Sequence, residues 1–292
     1  MMIEPSPHGR KAAAESRATN LCGAILRPAG ALAVGIFCSF VLAGAGDGLE
    51  TKTAVPDFSG AWSLTGNAFD FAPPLPGTGP GPLVNTSGNR LIAVGNYDSP
   101  ILKPWAAAEV KKHGIALLAG KIAPDAHTSC NPMGVPFVLQ VRDNVQLLQT
   151  PDWIMIIYQN NNQRRLVRLN VPHSAHPAPS WFGESVGHYE GDALVVDTIG
   201  IAVHEFSAID RFGTPHTEAM HVVERYRITN DKRKLLHVDL TVDDPGTFNM
   251  PWHASVTYGK GTDSPGENIC AENNREAAGG LVAMPTATRS DF

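Results

Sequence analysis

The fold is decided by a stretch in the middle of the chain, FVLQVRDNVQLLQTPDWIMIIYQNNNQRRLVRL, residues 137–169. It contains four short runs rich in Val, Ile, Leu and aromatic residues, and such runs are typical of strands. The predicted strands are Phe137–Val141, Val145–Gln149, Trp153–Tyr158 and Arg164–Leu169. Asn, Asp and Pro residues typical of turns separate them. Because no helix lies between the strands, the pattern predicts an antiparallel meander.

The same pattern continues on both sides of this stretch. Asp57–Trp62 is predicted to be an opening strand, and later strands are predicted at Ala193–Thr198, Thr217–Ile228, Leu235–Val242 and Ala254–Tyr258. One helix is predicted within Ser99–Lys121, with Pro104 in its first turn and Gly114 as a candidate early end. We therefore expect a mainly β protein, an antiparallel meander closed as a lipocalin-like barrel, with a β-sandwich as the alternative and one short helix.

Residues 1–45 have the features of a signal peptide. Four basic residues precede an apolar run, Ala31–Leu42, and the run ends in the small residues Ala43-Gly44-Ala45. The run is short for a membrane span, although a single N-terminal anchor is the alternative. We expect cleavage there, a single β-rich domain over 46–292, and a periplasmic or secreted protein without a membrane contact after removal of the leader.

Charge and cysteine content narrow the class of protein further. The net charge of -5 and the absence of a basic block argue against a nucleic-acid partner, so the expected partner is a small molecule. After removal of the leader two cysteines remain, Cys130 and Cys270. An even number in an exported protein fits one disulfide, and two buried free thiols are the alternative.

Histidines concentrate in one part of the chain. Eight of the eleven lie between His173 and His253, and histidine is both the usual proton shuttle near neutral pH and a common metal ligand. If residues 216–226 form one strand, alternation places His216, Glu218, Glu224 and Tyr226 on the same face. Carboxylates inside a barrel can act as acids or bases, and exposure of this face to solvent is the alternative.

These residues define the expected site. His216 and Glu218 are predicted to be the base and the acid, and a second group is predicted to orient them: Glu224, Asp197 and His221. The expected substrate contacts are Arg225, Tyr226, Trp252, His253 and His176. No cofactor motif is present, so none is expected. A metal site drawing on His173, His176, His216, His221 or His253 stays open, although the metalloprotease spacing HExxH is absent.

The segment Gly183-Glu184-Ser185-Val186-Gly187 matches the letters of the hydrolase nucleophile motif GxSxG. That motif acts at a sharp turn between a strand and a helix. Here a hairpin into the strand Ala193–Thr198 is predicted to follow, so we do not expect Ser185 to be a nucleophile.

Several motifs resemble a large family of exported, mostly uncharacterised bacterial proteins. They are GHYEGDALVVDT (187–198), PHTEAMHVVER (215–225), the segment from Cys130 to Pro136, and ICAEN (269–273). Both mature cysteines lie in matching segments, so the resemblance implies that Cys130 pairs with Cys270. The chain departs from the family pattern where it has Asn170-Val171-Pro172, Glu184-Ser185 and His188-Tyr189 in place of Asp-Gly-Arg, His-Ser and Arg-Trp. These departures imply a different compound if they line the site.

Three functions are compatible with these features. The leading hypothesis is a cofactor-free acid–base lyase, hydratase or isomerase acting on a small, partly apolar metabolite in a barrel cavity. The first alternative is a non-catalytic periplasmic carrier or sensor of an apolar ligand. The second is a metal-dependent hydrolase or oxygenase.

Overall fold

The structure is a computed structural model. It describes residues 55–65, 71–72, 79, 81–85, 94–121, 126, 129–141, 144–261, 266, 268 and 270. The predicted signal peptide, residues 1–45, lies outside the described residues and stays a prediction. The described helix is too short and too polar to cross a membrane.

Nine strands of the described chain close into a barrel, so the predicted mainly β fold and barrel are confirmed, and the sandwich is not. In chain order they are β1 (Gly60–Leu64), β4 (Val145–Gln149), β5 (Trp153–Tyr158), β6 (Gln163–Leu169), β7 (Glu184–Glu190), β8 (Ala193–Ile199), β9 (His221–Ile228), β10 (Leu236–Asp243) and β11 (Trp252–Lys260). Two further strands, β2 (Val84–Asn85) and β3 (Val94–Gly95), form a separate two-stranded sheet. β1 closes the barrel by pairing with both β4 and β11.

One neighbouring pair of barrel strands is parallel. β6 and β7 run in the same direction, with Val167 opposite Ser185, while all other pairs in the barrel are antiparallel. A parallel pair needs a crossover connection, and the chain supplies it in residues 170–183, which we call the crossover segment. Pro177 lies close to Gly200, and a bridge joins Ser180 to Ile201. The crossover segment is thereby fixed against the end of β8.

The predicted helix is present as α1, Pro104–Leu118, with Pro104 in its first turn as predicted. Gly114 does not end it, because Gly114 is buried in the helix one turn after Val110. A side chain at this position would collide with Val94 of β3. The glycine therefore allows α1 to approach the small sheet closely.

The predicted strand Phe137–Val141 is wrong. Residues Phe137–Gln140 form a single turn of 3-10 helix, and all four side chains are buried. A strand presents alternate side chains to opposite faces, but this segment is enclosed on every side. Tyr258 of β11 also donates a hydrogen bond to the Leu139 carbonyl over 2.6 Å, which ties the turn to the barrel.

Side chains fill the barrel interior. Leu147, Ile154, Val196 and Val222 are among its fully buried members, and burying such a side chain contributes about 1.5–3 kcal/mol. Tyr158 and Tyr258 line a small cavity that has room for about one water molecule. The open internal cavity of the leading hypothesis is not found there.

Cys130 and Cys270 lie at disulfide distance, with their Cα atoms 5.5 Å apart. This confirms the predicted pairing. The backbone N–H of Cys270 also donates to the Asn161 side chain over 2.8 Å. The disulfide thereby holds the end of the described chain against the segment that connects β5 and β6.

Candidate functional site

Alternation along β9 separates two clusters of charged side chains. Glu224 and Tyr226 point into the barrel, whereas His221 and Arg225 point outward. Strand alternation predicted that Glu224 and Tyr226 share a face. His216 and Glu218 were predicted to share that face, but β9 begins only at His221, so that part of the prediction is wrong.

His216 and Glu218 lie in a turn because Asp244 holds the segment there. The Asp244 carboxylate accepts hydrogen bonds from the Thr217 backbone N–H and from the Thr217 hydroxyl, each 2.6 Å long. His216 is buried, and burial lowers the pKa of its imidazole. Glu218 is exposed to solvent. The expected base and acid are therefore not brought together as a pair inside the barrel.

The inner cluster is a buried ion pair between Arg165 of β6 and Glu224. The Arg165 guanidinium donates two hydrogen bonds to the Glu224 carboxylate and also binds the hydroxyls of Ser185 and Thr198. Tyr226 donates to the same carboxylate over 2.9 Å. The side chains of Arg165 and Glu224 are almost entirely shielded from solvent. The pair thus satisfies polar groups that would be costly to bury alone.

The pKa values of Arg165 and of the two tyrosines beside it are all raised. Burial lowers the pKa of Arg165, but the charge of Glu224 and the nearby phenols outweigh that effect, so the pKa lies above its usual value. Burial raises the pKa of Tyr158 to about 12, against the opposing effect of Arg165. Burial also raises the pKa of Tyr226. A cluster that is buried and fixed in charge is suited to structural support.

The outer cluster is centred on Asp197 of β8. One oxygen of its carboxylate, Oδ1, lies 2.9 Å from Nε2 of His221 and 2.9 Å from Nε2 of His173. His221 comes from β9 and His173 from the crossover segment. Asp197 and His221 are 35% and 40% exposed at their side chains. A small molecule therefore has access to this group.

Glu184 of β7 extends the outer cluster. Its carboxylate lies 3.0 Å from Nδ1 of His173, accepts hydrogen bonds from the Ser174 hydroxyl and backbone N–H, and pairs with Arg168 at 3.0 Å. The bonds from Ser174, with smaller contributions from His173 and Arg168, lower the pKa of Glu184 to about 2. His173 thus faces a carboxylate with each ring nitrogen, and it donates both hydrogen bonds only when both nitrogens carry protons.

Both ring nitrogens of His173 have a partner, whereas only one ring nitrogen of His221 has a partner among the described residues. Its Nε2 faces Asp197, while no described residue is bonded to Nδ1. When Nε2 carries the proton, Nδ1 has a free lone pair and can accept one. A carboxylate that fixes the tautomer of an imidazole and stabilises its charged form is the arrangement found in acid–base catalysis. Asp197 and His221 therefore have the geometry of an orienting carboxylate and a base.

The expected substrate contacts are distributed over several places. Arg225 pairs with Glu190 on the outer wall, and Tyr226 is inside the barrel. Trp252 is buried core, with its ring edge-on to those of Phe71 and Phe248. His253 is bonded to the Thr241 hydroxyl, and His176 is exposed in the crossover segment. The structure does not bring these five side chains to one site.

Arg165, the cation of the inner cluster, was not singled out from the sequence. The sequence could have indicated that Arg165 points inward, because it lies between Gln163 and Val167 in the alternation that forms the buried side of the strand. Glu184 was named only as part of the GxSxG segment and as a departure from the family pattern, and no role in the site was predicted for it. Ser185 of that motif lies within β7, where it is buried and accepts a hydrogen bond from Arg165 at 2.8 Å. As predicted, it does not lie at a sharp turn between a strand and a helix.

Metal ligation was an open alternative for the histidines. Among the described residues, no group of three or more His, Cys, Asp or Glu side chains is placed so that it could hold a metal ion.

Comparison of the chain with protein-family models and with curated proteins finds no match.

Proposed function

We propose that this chain is an exported β-barrel protein that catalyses proton transfer on a small, partly apolar metabolite at the outer cluster. The observation that carries the proposal is the shared contact of Asp197 Oδ1 with His173 and His221, at 2.9 Å in each case. The proposed reaction class is elimination, hydration or isomerisation. These reactions need proton movements that one positioned acid–base pair can supply.

In this proposal His221 is the base and Asp197 orients it. Nδ1 of His221 takes a proton from the substrate or from an attacking water. The imidazolium that forms is stabilised by the Asp197 carboxylate, as in other aspartate–histidine pairs. His221 then returns the proton to the departing hydroxyl or to the neighbouring carbon. The proton is conserved over the cycle, and no electron is gained or lost.

His173 and Glu184 act as positioning residues. His173 contacts the same oxygen of Asp197 as His221 does, while Glu184, held by Ser174, contacts the other ring nitrogen of His173. The neighbours of Asp197 across the sheet are Val186 and Val223. Both are partly exposed, which fits an apolar part of the substrate lying beside the acid–base pair.

An exported location agrees with the disulfide between Cys130 and Cys270. It also agrees with the predicted signal peptide over residues 1–45. Detection of the processed chain outside the cytoplasm, beginning near residue 46, tests this part of the proposal independently of the catalytic part.

The catalytic proposal is tested with His221→Gln. The protein is incubated with a panel of hydroxy acids, unsaturated acids and sugar derivatives, and products are followed by mass spectrometry. We expect the substitution to lower turnover about 10²–10⁴-fold. The matched control is His188→Gln, because His188 is also an outward histidine paired with a carboxylate, Glu190, at 3.0 Å. We expect the control to retain turnover.

Three results would overturn the proposal. Equal turnover by wild type and His221→Gln would remove His221 from the chemistry. Recovery of a tightly bound ligand, unchanged and without turnover of any panel compound, would favour the carrier. Stoichiometric metal in the purified protein, lost together with activity in His221→Gln, would favour the metal-dependent alternative.

A further inference from the structure

The crossover segment is held to the barrel through its backbone at both ends. Asn170 donates a hydrogen bond to a carbonyl of β7, and Ser180 exchanges two hydrogen bonds with the chain just after β8. Residues 171–179 lie between these points and are mostly exposed to solvent. Their hydrogen bonds to the barrel come from His173 and Ser174 alone. The middle of the segment therefore depends on these two neighbours for its polar attachment.

His173 lies between two carboxylates on adjacent strands. Its Nδ1 is 3.0 Å from Glu184 Oε1 of β7, and its Nε2 is 2.9 Å from Asp197 Oδ1 of β8. Each carboxylate oxygen is an acceptor and needs a donor, and a histidine has a donor on both nitrogens only as the imidazolium. The contact of His173 with both strands is thus complete only when its ring is positively charged.

Loss of one proton from His173 replaces an attraction with a repulsion. A neutral imidazole keeps one N–H, and its other nitrogen then presents a lone pair to a carboxylate oxygen. The Glu184 side is held more firmly, because Ser174 donates to both of its oxygens and Arg168 pairs with it. We therefore expect the remaining proton on Nδ1 and the contact with Asp197 to open.

We propose that His173 fastens the crossover segment to β8 in a pH-dependent manner, with the contact closed when the ring is protonated and open when it is neutral. Histidine changes its charge between about pH 5 and pH 8, whereas carboxylates and arginine keep theirs. The charged and titratable groups of the described chain that face this contact are Arg168 of β6, Glu184 of β7, Asp197 of β8 and His221 of β9.

Opening of the contact also changes the surroundings of the acid–base pair. His173 and His221 share one oxygen of Asp197, so release of His173 leaves that oxygen to His221 alone. The proposal concerns the attachment of the crossover segment. It holds whether or not the outer cluster turns over a substrate, and it is measured without one.

Amide hydrogen exchange on the full-length protein tests the proposal. Protection factors, which correct for the intrinsic effect of pH on exchange, are compared at about pH 5.5 and about pH 8. The reporter is the Ser174 backbone N–H, which donates to Glu184 over 2.7 Å. We expect its protection to fall about tenfold at the higher pH, because opening of the segment then breaks one hydrogen bond fewer.

His173→Gln identifies the titrating group, since glutamine can still form a hydrogen bond but does not titrate in this range. We expect the same protection at both pH values in this variant. The matched control is His176→Gln, because His176 is exposed in the same segment and no described residue is bonded to it. His221→Gln removes the other histidine beside Asp197. We expect both of these variants to keep the pH dependence of wild type.

Any of three outcomes would contradict this account. The first is wild-type protection that is equal at both pH values or that rises with pH. The second is a pH dependence that persists in His173→Gln, which would place the titrating group elsewhere. The third is a pH dependence that disappears in His176→Gln or His221→Gln. Circular dichroism at both pH values confirms that each variant is folded, and the wild-type comparison decides the direction of the effect without any variant.

Discussion

The inner and outer clusters lie on opposite faces of the same barrel wall, and they differ in how far solvent reaches their carboxylates. Glu224 and Asp197 are carboxylates on adjacent strands, β9 and β8, and each binds two or more donors. Glu224 is entirely buried beside Arg165, while Asp197 remains about one-third exposed. Burial with a permanent cation makes the first carboxylate a structural group. Partial exposure leaves the second carboxylate within reach of solvent, with His221 and His173 as its partners.

The largest effect is expected when the inner pair is broken. Glu224→Gln leaves the Arg165 charge buried without a counter-charge, so the free energy of unfolding should fall by about 3–5 kcal/mol. Urea unfolding of wild type and variant measures this loss. The double variant Arg165→Met/Glu224→Leu should lose less, because both charges are removed together. A double variant that is less stable than Glu224→Gln would contradict this account.

A smaller, pH-dependent effect is expected at Glu184 in the outer cluster. Its folded pKa of about 2 lies below the usual 4.5, so Glu184 stabilises the fold above pH 4.5 and loses that contribution as the pH falls towards 2. Glu184→Gln should cost about 1 kcal/mol at pH 7, since solvent screens a partly exposed group. The difference from wild type should vanish near pH 2. A difference that is constant between pH 7 and pH 2 would argue against the ionic contribution.

The smallest effect is expected for the pair of Arg225 and Glu190. These side chains are bonded to each other on the outer wall and are exposed to solvent. Arg225→Gln should therefore change the free energy of unfolding by less than about 0.5 kcal/mol. Thermal or urea unfolding measures it, and His188→Gln provides a second exposed neighbour for comparison. A loss of 2 kcal/mol would show that exposure alone does not separate structural from replaceable charges here.

Local pattern predicted most of the barrel. β4 and β5 occupy the residues that alternation and turn residues indicated, because their side chains divide cleanly between core and outside. Phe137–Gln140 failed because all four side chains are buried, and an apolar run alone does not distinguish a strand from an enclosed turn. The parallel pairing of β6 and β7 depends on the path of the crossover segment, which no local pattern encodes.

The candidate site was predicted in part. Alternation placed Glu224 and Tyr226 on one face of the strand, and both side chains do point into the barrel. Asp197 was predicted to orient a histidine, and it lies within hydrogen-bond distance of His221 and His173. The grouping was wrong for His216 and Glu218, because the bonds from Thr217 to Asp244 turn the chain before β9 begins. That contact joins residues far apart in sequence. The role of His173 likewise depends on the crossover segment reaching β7 and β8.

The closing position of β1 has a consequence for the order of folding. β1 is made before every other strand of the barrel, yet it pairs with β11, which is made last. Lys260 even donates a hydrogen bond to the carbonyl of Ser59, 201 positions earlier in the chain. Until β11 is available, one edge of β1 stays unpaired, and open edges promote association between chains. Contacts of such long range also slow folding. The barrel therefore closes only after β11 has been synthesised.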